Sequence, residues 1–415
     1  MKKRRIIALI LTLVMATFMF AACGGSDSPA SAPDSSAPAS NAPASNAPSP
    51  AAQSPGASSS AAAGAASPAP ESQAPANAAP AETVKIEYTY DYLIELAAKV
   101  TQPVNIRIGL GTAGKHYQNF MVDTFKEVIE EVSDKITVEV FPGGQLGTIP
   151  QMMESVLSGA LGGIAFPAAY LSTVAPAISV LELPFLFADP KGSSEQAYRV
   201  LNGGTSLDGY LYDKGFVPVA WLRSGDNYLM TLSEVRGISD LQGRKLRCHS
   251  SEFVQETVKL LGAVPTMIDV SELTSALQNG TIDGTEADPV FTVSQSMHQI
   301  AKYYTLLPMR PNEVVFVLSA ELWDTYSKEA QDLIYAVNQY VVRDREYDYF
   351  LNVEANSFKA MEEEGVQIFN PDDAFISELR SLTAGVATNF INKNSDCAAI
   401  YSEFVDLIAA DNAAR

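Results

Sequence analysis

The sequence predicts an α/β fold of one or two lobes, and three observations carry that expectation. Val104, Ile106, Ile108 and Leu110 alternate with Asn105, Arg107 and Gly109, a half-buried strand. Apolar residues at three- and four-residue steps follow (Tyr117, Phe120, Met121, Phe125, Val128, Ile129, Val132), and then Ile136, Val138 and Val140 alternate again. Together they make a β-α-β unit, expected to be parallel. From Ser327, a candidate N-cap, to about Glu364 there is no Pro or Gly, and Leu333, Ile334, Val337, Tyr340 and Val341 keep helical period. A helix of that length is suited to bracing two lobes. No internal repeat is evident.

The remaining elements follow in order. A short amphipathic lead-in runs from Tyr92 to Val100, and further strands are expected at Val217–Leu222, Lys245–Cys248, Thr266–Val270 and Val314–Leu318. Helices at Glu252–Leu261 and Glu272–Asn279 lie between them. Everything from 84 to 415 reads as the folded body.

The N-terminal fifth is of another kind. Lys2, Lys3, Arg4 and Arg5 precede fifteen mostly apolar residues, Ile6 to Phe20, and then Ala21-Ala22-Cys23. This is the basic, apolar and small-residue order of a secretory signal peptide over residues 1–22, too short to span a bilayer as a stable helix. Two small residues before a cysteine resemble a bacterial lipobox, which implies lipidation of Cys23, although Phe20 stands where Leu is usual. The sixty residues between Cys23 and Val84 contain no Leu, Ile, Val, Met or aromatic residue, and they hold 11 of the 24 prolines. Such a segment cannot bury enough apolar surface to offset its ordering entropy, so residues 23–83 are expected to be a disordered tether. As a flexible coil it would span about 40 Å. A tethered body suits a protein that captures something outside the cell and presents it at a membrane; a plain cell-wall spacer is compatible with the same composition.

Charge and composition exclude several classes. The 415 residues are 47% hydrophobic and 18% charged, which rules out a small disulfide scaffold and a wholly disordered chain. Against 48 acids stand 28 bases, and a net charge of −20 disfavours nucleic acid and anionic lipid as partners. Cleavage before Cys23 would remove four of those bases and no acid. It would leave Cys248 and Cys397, paired or free. The histidines His116, His249 and His298 fall in no zinc motif, and no G-x-S-x-G elbow exists, so no metal, cofactor or catalytic site is expected. Gly109-Leu110-Gly111-Thr112-Ala113-Gly114-Lys115-His116 satisfies G-x-G-x-x-G and comes within one residue of a P-loop, but His116 offers magnesium no hydroxyl. Its backbone N–H groups remain an anion-site candidate beside the plain reading of a Gly-rich turn.

Five stretches, in order, resemble the solute-binding subunit of tripartite ATP-independent periplasmic (TRAP) transporters, the DctP-type family. They are Phe141-Pro142-Gly143-Gly144-Gln145-Leu146-Gly147; Leu183-Pro184-Phe185-Leu186-Phe187-Ala188-Asp189; Asp240-Leu241-Gln242-Gly243-Arg244-Lys245-Leu246-Arg247; Leu261-Gly262-Ala263-Val264-Pro265-Thr266; and Ser271-Glu272 with Ala276-Leu277-Gln278-Asn279-Gly280-Thr281-Ile282-Asp283-Gly284. The resemblance covers about residues 104–325. It implies a two-lobed, periplasmic-binding-protein-like fold with hinge strands and a long bracing helix. One lobe would hold about 104–224 and 313–352, the other about 225–312 and 353–410. It implies a non-enzymatic, lipid-anchored extracytoplasmic protein that closes on a small organic acid and delivers it to membrane permease subunits. An ABC-type solute receptor and a ligand-sensing lipoprotein are the alternatives.

The resemblance implies that Arg247 is the carboxylate contact, a role for which the bidentate guanidinium is suited. Three departures bear on the ligand. Where many members carry a second arginine, this chain has Asn227; Arg223, four residues earlier, is either its substitute or, on the preferred reading, outward-facing. Where members have E-N-P, it has Glu286-Ala287-Asp288-Pro289, so that Asp288 or Ala287 takes the place of the asparagine. An aromatic residue before S-E is replaced by Val270. A missing cation and an added carboxylate point to a monocarboxylate carrying an amino or hydroxyl group for Asp288 or Asn227. His116 and Tyr170 lie near expected cleft loops and are further candidates.

Overall fold

The computed structural model describes residues 87–187, 193–307 and 309–415. The signal segment, Cys23 and the tether lie outside the described residues, as do Ala188 and Asp189.

Two sheets organise the chain. The first contains β1 (Val104–Leu110), β2 (Ile136–Phe141), β3 (Gly163–Pro167), β4 (Phe216–Leu222) and β10 (Val314–Ser319), in the order β2-β1-β3-β10-β4. The second contains β5 (Tyr228–Thr231), β6 (Lys245–Cys248), β7 (Val264–Met267), β8 (Gly284–Ala287), β9 (Tyr303–Thr305) and β11 (Gln367–Phe369), in the order β11-β9-β5-β8-β6-β7. The expected β-α-β unit is present: β1 and β2 are parallel, with Val104 opposite Ile136, and the helix Tyr117–Val132 joins them. β10 runs antiparallel to both its neighbours, β3 and β4. Its six residues are all buried because both faces are covered: Val314, Phe316 and Leu318 point into one apolar cluster, Val315 and Val317 into the other. In the second sheet Leu229 and Met230 of β5 likewise serve opposite faces.

The chain passes between the sheets at residues 223–227, from β4 to β5, and at 306–313, from β9 to β10. A third link is the long helix. Ser327 caps it as expected, its hydroxyl accepting from the Ala330 N–H, and it runs from Lys328 to Glu363 with a π turn at Val342–Glu346. Its first half packs Leu333, Ile334 and Val337 under the first sheet, and its second half packs Met361 under the second. The fold is therefore α/β and two-lobed, with crossing segments and a bracing helix.

Four expectations need correction. The strand placed at Thr266–Val270 is Val264–Met267; Pro265 is accommodated because β7 is the sheet edge, where no ladder N–H is demanded of it. Asp269 instead caps a 3-10 turn at Val270–Glu272, so the next helix is Leu273–Gln278. Residues after 352 do not all go to the second lobe: the helix Ser395–Ala413 buries Cys397, Ile400, Phe404 and Ile408 in the cluster that backs the first sheet, beside Ile178 and Leu201. The helix Asp373–Ile391 spans the two, with Leu379 in a second-sheet cluster and Phe390 in that first-sheet cluster. Arg223 is not outward-facing. It is 6% exposed, donates to Ser194 Oγ and lies over the Phe350 and Tyr347 rings. Cys248 and Cys397 are buried free thiols.

Candidate functional site

A cavity opens between the sheets at the carboxyl ends of β1, β3, β6 and β8, the place where open α/β sheets receive ligands. The cavity volume is ≈ 140 Å³, room for about five waters or one small organic molecule. All seven candidate binding residues line it: His116, Tyr170, Asn227, Arg247, Val270, Ala287 and Asp288.

Arg247 lies near the end of β6, held there by the parallel register that sets it opposite Thr266 of β7. Its Nε donates to the Ile268 carbonyl at 3.0 Å, and Nη2 stands 3.5 Å from the Tyr170 hydroxyl across the cleft. Among the described residues it forms no ion pair, so its remaining N–H groups face the cavity without an acid. Tyr170 follows β3 in the first lobe, and burial raises its hydroxyl pKa, keeping it a neutral donor.

Asp288 caps the short helix Pro289–Ser294, accepting from the Phe291 N–H and from Asn312 Nδ2, each at 2.9 Å. Burial pushes its carboxyl up to about 7 despite those donors. Ala287 offers the cavity only its methyl and backbone, and its carbonyl already accepts from Tyr304. The Asn227 side chain donates to the Pro311 carbonyl, which ties it to the crossing segments. Val270 presents an apolar wall and packs with the first-lobe cluster.

His116 caps the helix Tyr117–Val132 through Nδ1, which accepts from the Gln118 N–H; the proton is thereby assigned to Nε2, which has no partner among the described residues. Complete burial lowers its pKa to about 3, so it lines the cavity as a neutral donor. Gly111 and Thr112 of the glycine turn also line the cavity, whereas Ala113, Gly114 and the exposed Lys115 do not.

Sequence reasoning missed Arg310, a second arginine in the wall. It is 7% exposed and sits between two carboxylates, Nη1 3.0 Å from Glu182 and Nη2 2.6 Å from Glu286. Burial alone would lower its pKa, but the two acids outweigh this and raise it. His249 Nε2 approaches Glu182 at 3.5 Å; burial, then Arg310 and Arg247, hold that ring well below its usual pKa, so the contact is not an ion pair. Only Glu286 had a sequence signal, its place in the E-A-D-P stretch. Nothing in the spacing around Arg310 marks it. Among the described residues no cluster of His, Cys, Asp or Glu could hold a metal ion, and no helix is long and apolar enough to cross a membrane.

Two lobes, two crossing segments and an interlobe cavity with an uncommitted arginine define a solute-binding protein. Residues 111–394 match the model of the DctP family, bacterial extracellular solute-binding protein family 7, and the chain belongs to that family. It is a solute-binding subunit of the TRAP type. It is 26% identical over 299 residues to a solute-binding protein of Chromohalobacter salexigens, covering 70% of this chain and 80% of that one. It is 28% identical over 204 residues to the C4-dicarboxylate-binding periplasmic protein DctP of Rhodobacter capsulatus, covering 48% and 60%. A TRAP solute-binding protein of Xanthobacter autotrophicus with bound β-D-galacturonate superposes with a TM-score of 0.67 at 25% identity, over 72% of this chain and 99% of that one. One of Citrobacter koseri with bound D-glucuronate does so at 0.67 and 25%, over 74% and 98%.

Proposed function

We propose that the protein captures a small organic acid, a monocarboxylate bearing hydroxyl or amino groups, in the interlobe cavity and delivers it to TRAP permease subunits. In this reading a lipid on Cys23 and the tether of residues 23–83 hold the body near the outer face of the cytoplasmic membrane. The observation that carries the proposal is Arg247: a guanidinium in the cavity wall, anchored by one backbone carbonyl and paired with no acid of the described residues. A ligand carboxylate gains most when both lobes close on it, because Tyr170 from one and Arg247 from the other then share it. His116 Nε2, Asn227 and Asp288 would take the polar groups of the ligand. The galacturonate and glucuronate held by the two solved relatives are hydroxylated monocarboxylates, which supports the class.

Mass spectrometry of small molecules co-purifying with the folded body, followed by thermal shift against mono- and dicarboxylates, tests this. A hydroxylated monocarboxylate is expected to stabilise most; strongest stabilisation by succinate or malate overturns the monocarboxylate reading.

A further inference from the structure

We propose that Glu286, with Glu182 behind it, sets the charge selectivity of the cavity by holding Arg310 neutralised, so that one ligand carboxylate is accepted and a second is refused. This rests on the reading that the cavity takes carboxylates, and it names the residues that would decide how many.

The geometry is that of a clamp across the cleft. Glu182 ends the 3-10 turn Pro176–Glu182 beside the first sheet, Glu286 lies in β8 of the second, and Arg310 comes from the segment that crosses between them. The guanidinium presents one terminal nitrogen to each acid, at 3.0 and 2.6 Å. Glu182 and Arg310 are each less than a tenth exposed, and the Glu286 side chain is 12% exposed. Such a pair is screened little by salt and keeps its geometry.

Arg310 and Glu286 both line the cavity, whereas Glu182 does not. A second ligand carboxylate brought to Arg310 therefore meets Glu286 at the same nitrogen, and two anions sharing one cation in a desolvated wall repel strongly. Arg247 differs in the respect that matters, since no acid of the described residues pairs with it. Of the neutral groups in the wall, His116 Nε2, the Tyr170 hydroxyl and the Asn227 amide suit hydroxyl or carbonyl oxygens, whereas Asn312 Nδ2 is already engaged by Asp288 and Tyr117. Of the described residues two arginines line this cavity, and Arg247 is the one left without an acid.

The clamp makes opposite predictions for its two kinds of member. Glu286→Gln keeps an amide oxygen that can accept from Arg310 Nη2 while removing the charge, and Glu182→Gln does the same from outside the wall. Each frees part of the Arg310 charge for a ligand. The added change Arg310→Gln takes away the freed cation and should cancel the effect.

Calorimetry with two matched pairs, succinamate with succinate and gluconate with glucarate, reads the ratio of dianion to monoanion affinity. Wild type is expected to favour the monoanion of whichever pair it binds. Glu286→Gln and Glu182→Gln are expected to shift that ratio toward the dianion by about tenfold or more, and Glu286→Gln/Arg310→Gln to return it to wild type. A ratio within about twofold of wild type in either folded single variant, or a wild type that prefers the dianion, overturns this inference while leaving carboxylate capture standing. A wild type that binds none of the four acids removes the ground for both statements.

Discussion

Asp226 and Pro311 form an isolated antiparallel bridge that joins the two segments crossing between the sheets. It ties the two crossing segments together, and the Asn227 N–H and Asn312 N–H donate across the same seam to the Arg310 and Gly225 carbonyls. Asp226 itself is 3% exposed, accepts from Ser193, and has its pKa raised to about 7 by burial. The seam borders the cavity through Asn227, Arg310 and Asn312, so the cavity wall and the crossing segments share residues.

Gly225, at the centre of that seam, holds φ at +66°, and an added Cβ would stand 2.9 Å from Glu354 Oε1 and 3.0 Å from the Phe350 ring. Gly225→Ala is expected to cost about 1–3 kcal/mol through left-handed strain and displacement of the bracing helix. Chemical denaturation measures it, and unchanged stability would show that the seam tolerates a side chain.

Arg247→Ala should weaken binding of the co-purifying acid by about 2–5 kcal/mol, roughly 30-fold to several thousand-fold, read by calorimetry. Lysine should rescue poorly. It has no counterpart to the Nε that donates to Ile268 and sets the plane of the guanidinium. Equal affinity in the alanine variant would remove Arg247 from the site.

Asp288 gives the site a pH dependence. Its carboxyl titrates at about 7 when folded, against 3.8 as its ordinary value; burial is the main cause, with Glu354 adding to the rise and the Phe291, Val290 and Asn312 donors opposing it. Between those values the folded state keeps a proton that the unfolded chain has released. Its contribution to stability therefore falls as pH rises from about 4 to about 7, and the cost is complete above that. Asp288→Asn preserves a cap acceptor but not the charge, so the variant should gain on wild type by about 2–4 kcal/mol between pH 4 and pH 8. Denaturation at the two pH values tests the sign; a constant difference would place the titration elsewhere.

What was legible in the sequence divides along physical lines. Elements with one clear period, such as β1, the helix Tyr117–Val132 and β10, were readable because burial on one or both faces leaves a regular trace. The short strands β5, β8, β9 and β11 have three or four residues each, too few for a period to emerge. The terminal helix Ser395–Ala413 was assigned to the wrong lobe because which surface an apolar stripe meets is a tertiary fact. In the site, Arg247 was found through a motif, and Asn227, Asp288, Ala287 and Val270 through departures from one. Arg310 escaped because its meaning lies in Glu182 and Glu286, more than a hundred and about two dozen residues away respectively in the chain. Arg223 was misread for the same reason, since the rings and Ser194 that enclose it come from other elements.

The overall charge sets one further test. The chain carries −20 and is read as capturing an anion, so its long-range field opposes the encounter while the attraction at Arg247 acts only within the cavity. Lowering ionic strength from about 150 to about 10 mM lengthens the Debye screening distance from roughly 8 to roughly 30 Å. Repulsion from the whole acidic surface then reaches an approaching ligand, whereas the short, shielded contact to Arg247 changes little. Stopped-flow association should be slower at low salt or unchanged, with dissociation hardly affected. Marked acceleration would mean that a cationic path leads into the cavity, and that the attraction is not confined to Arg247.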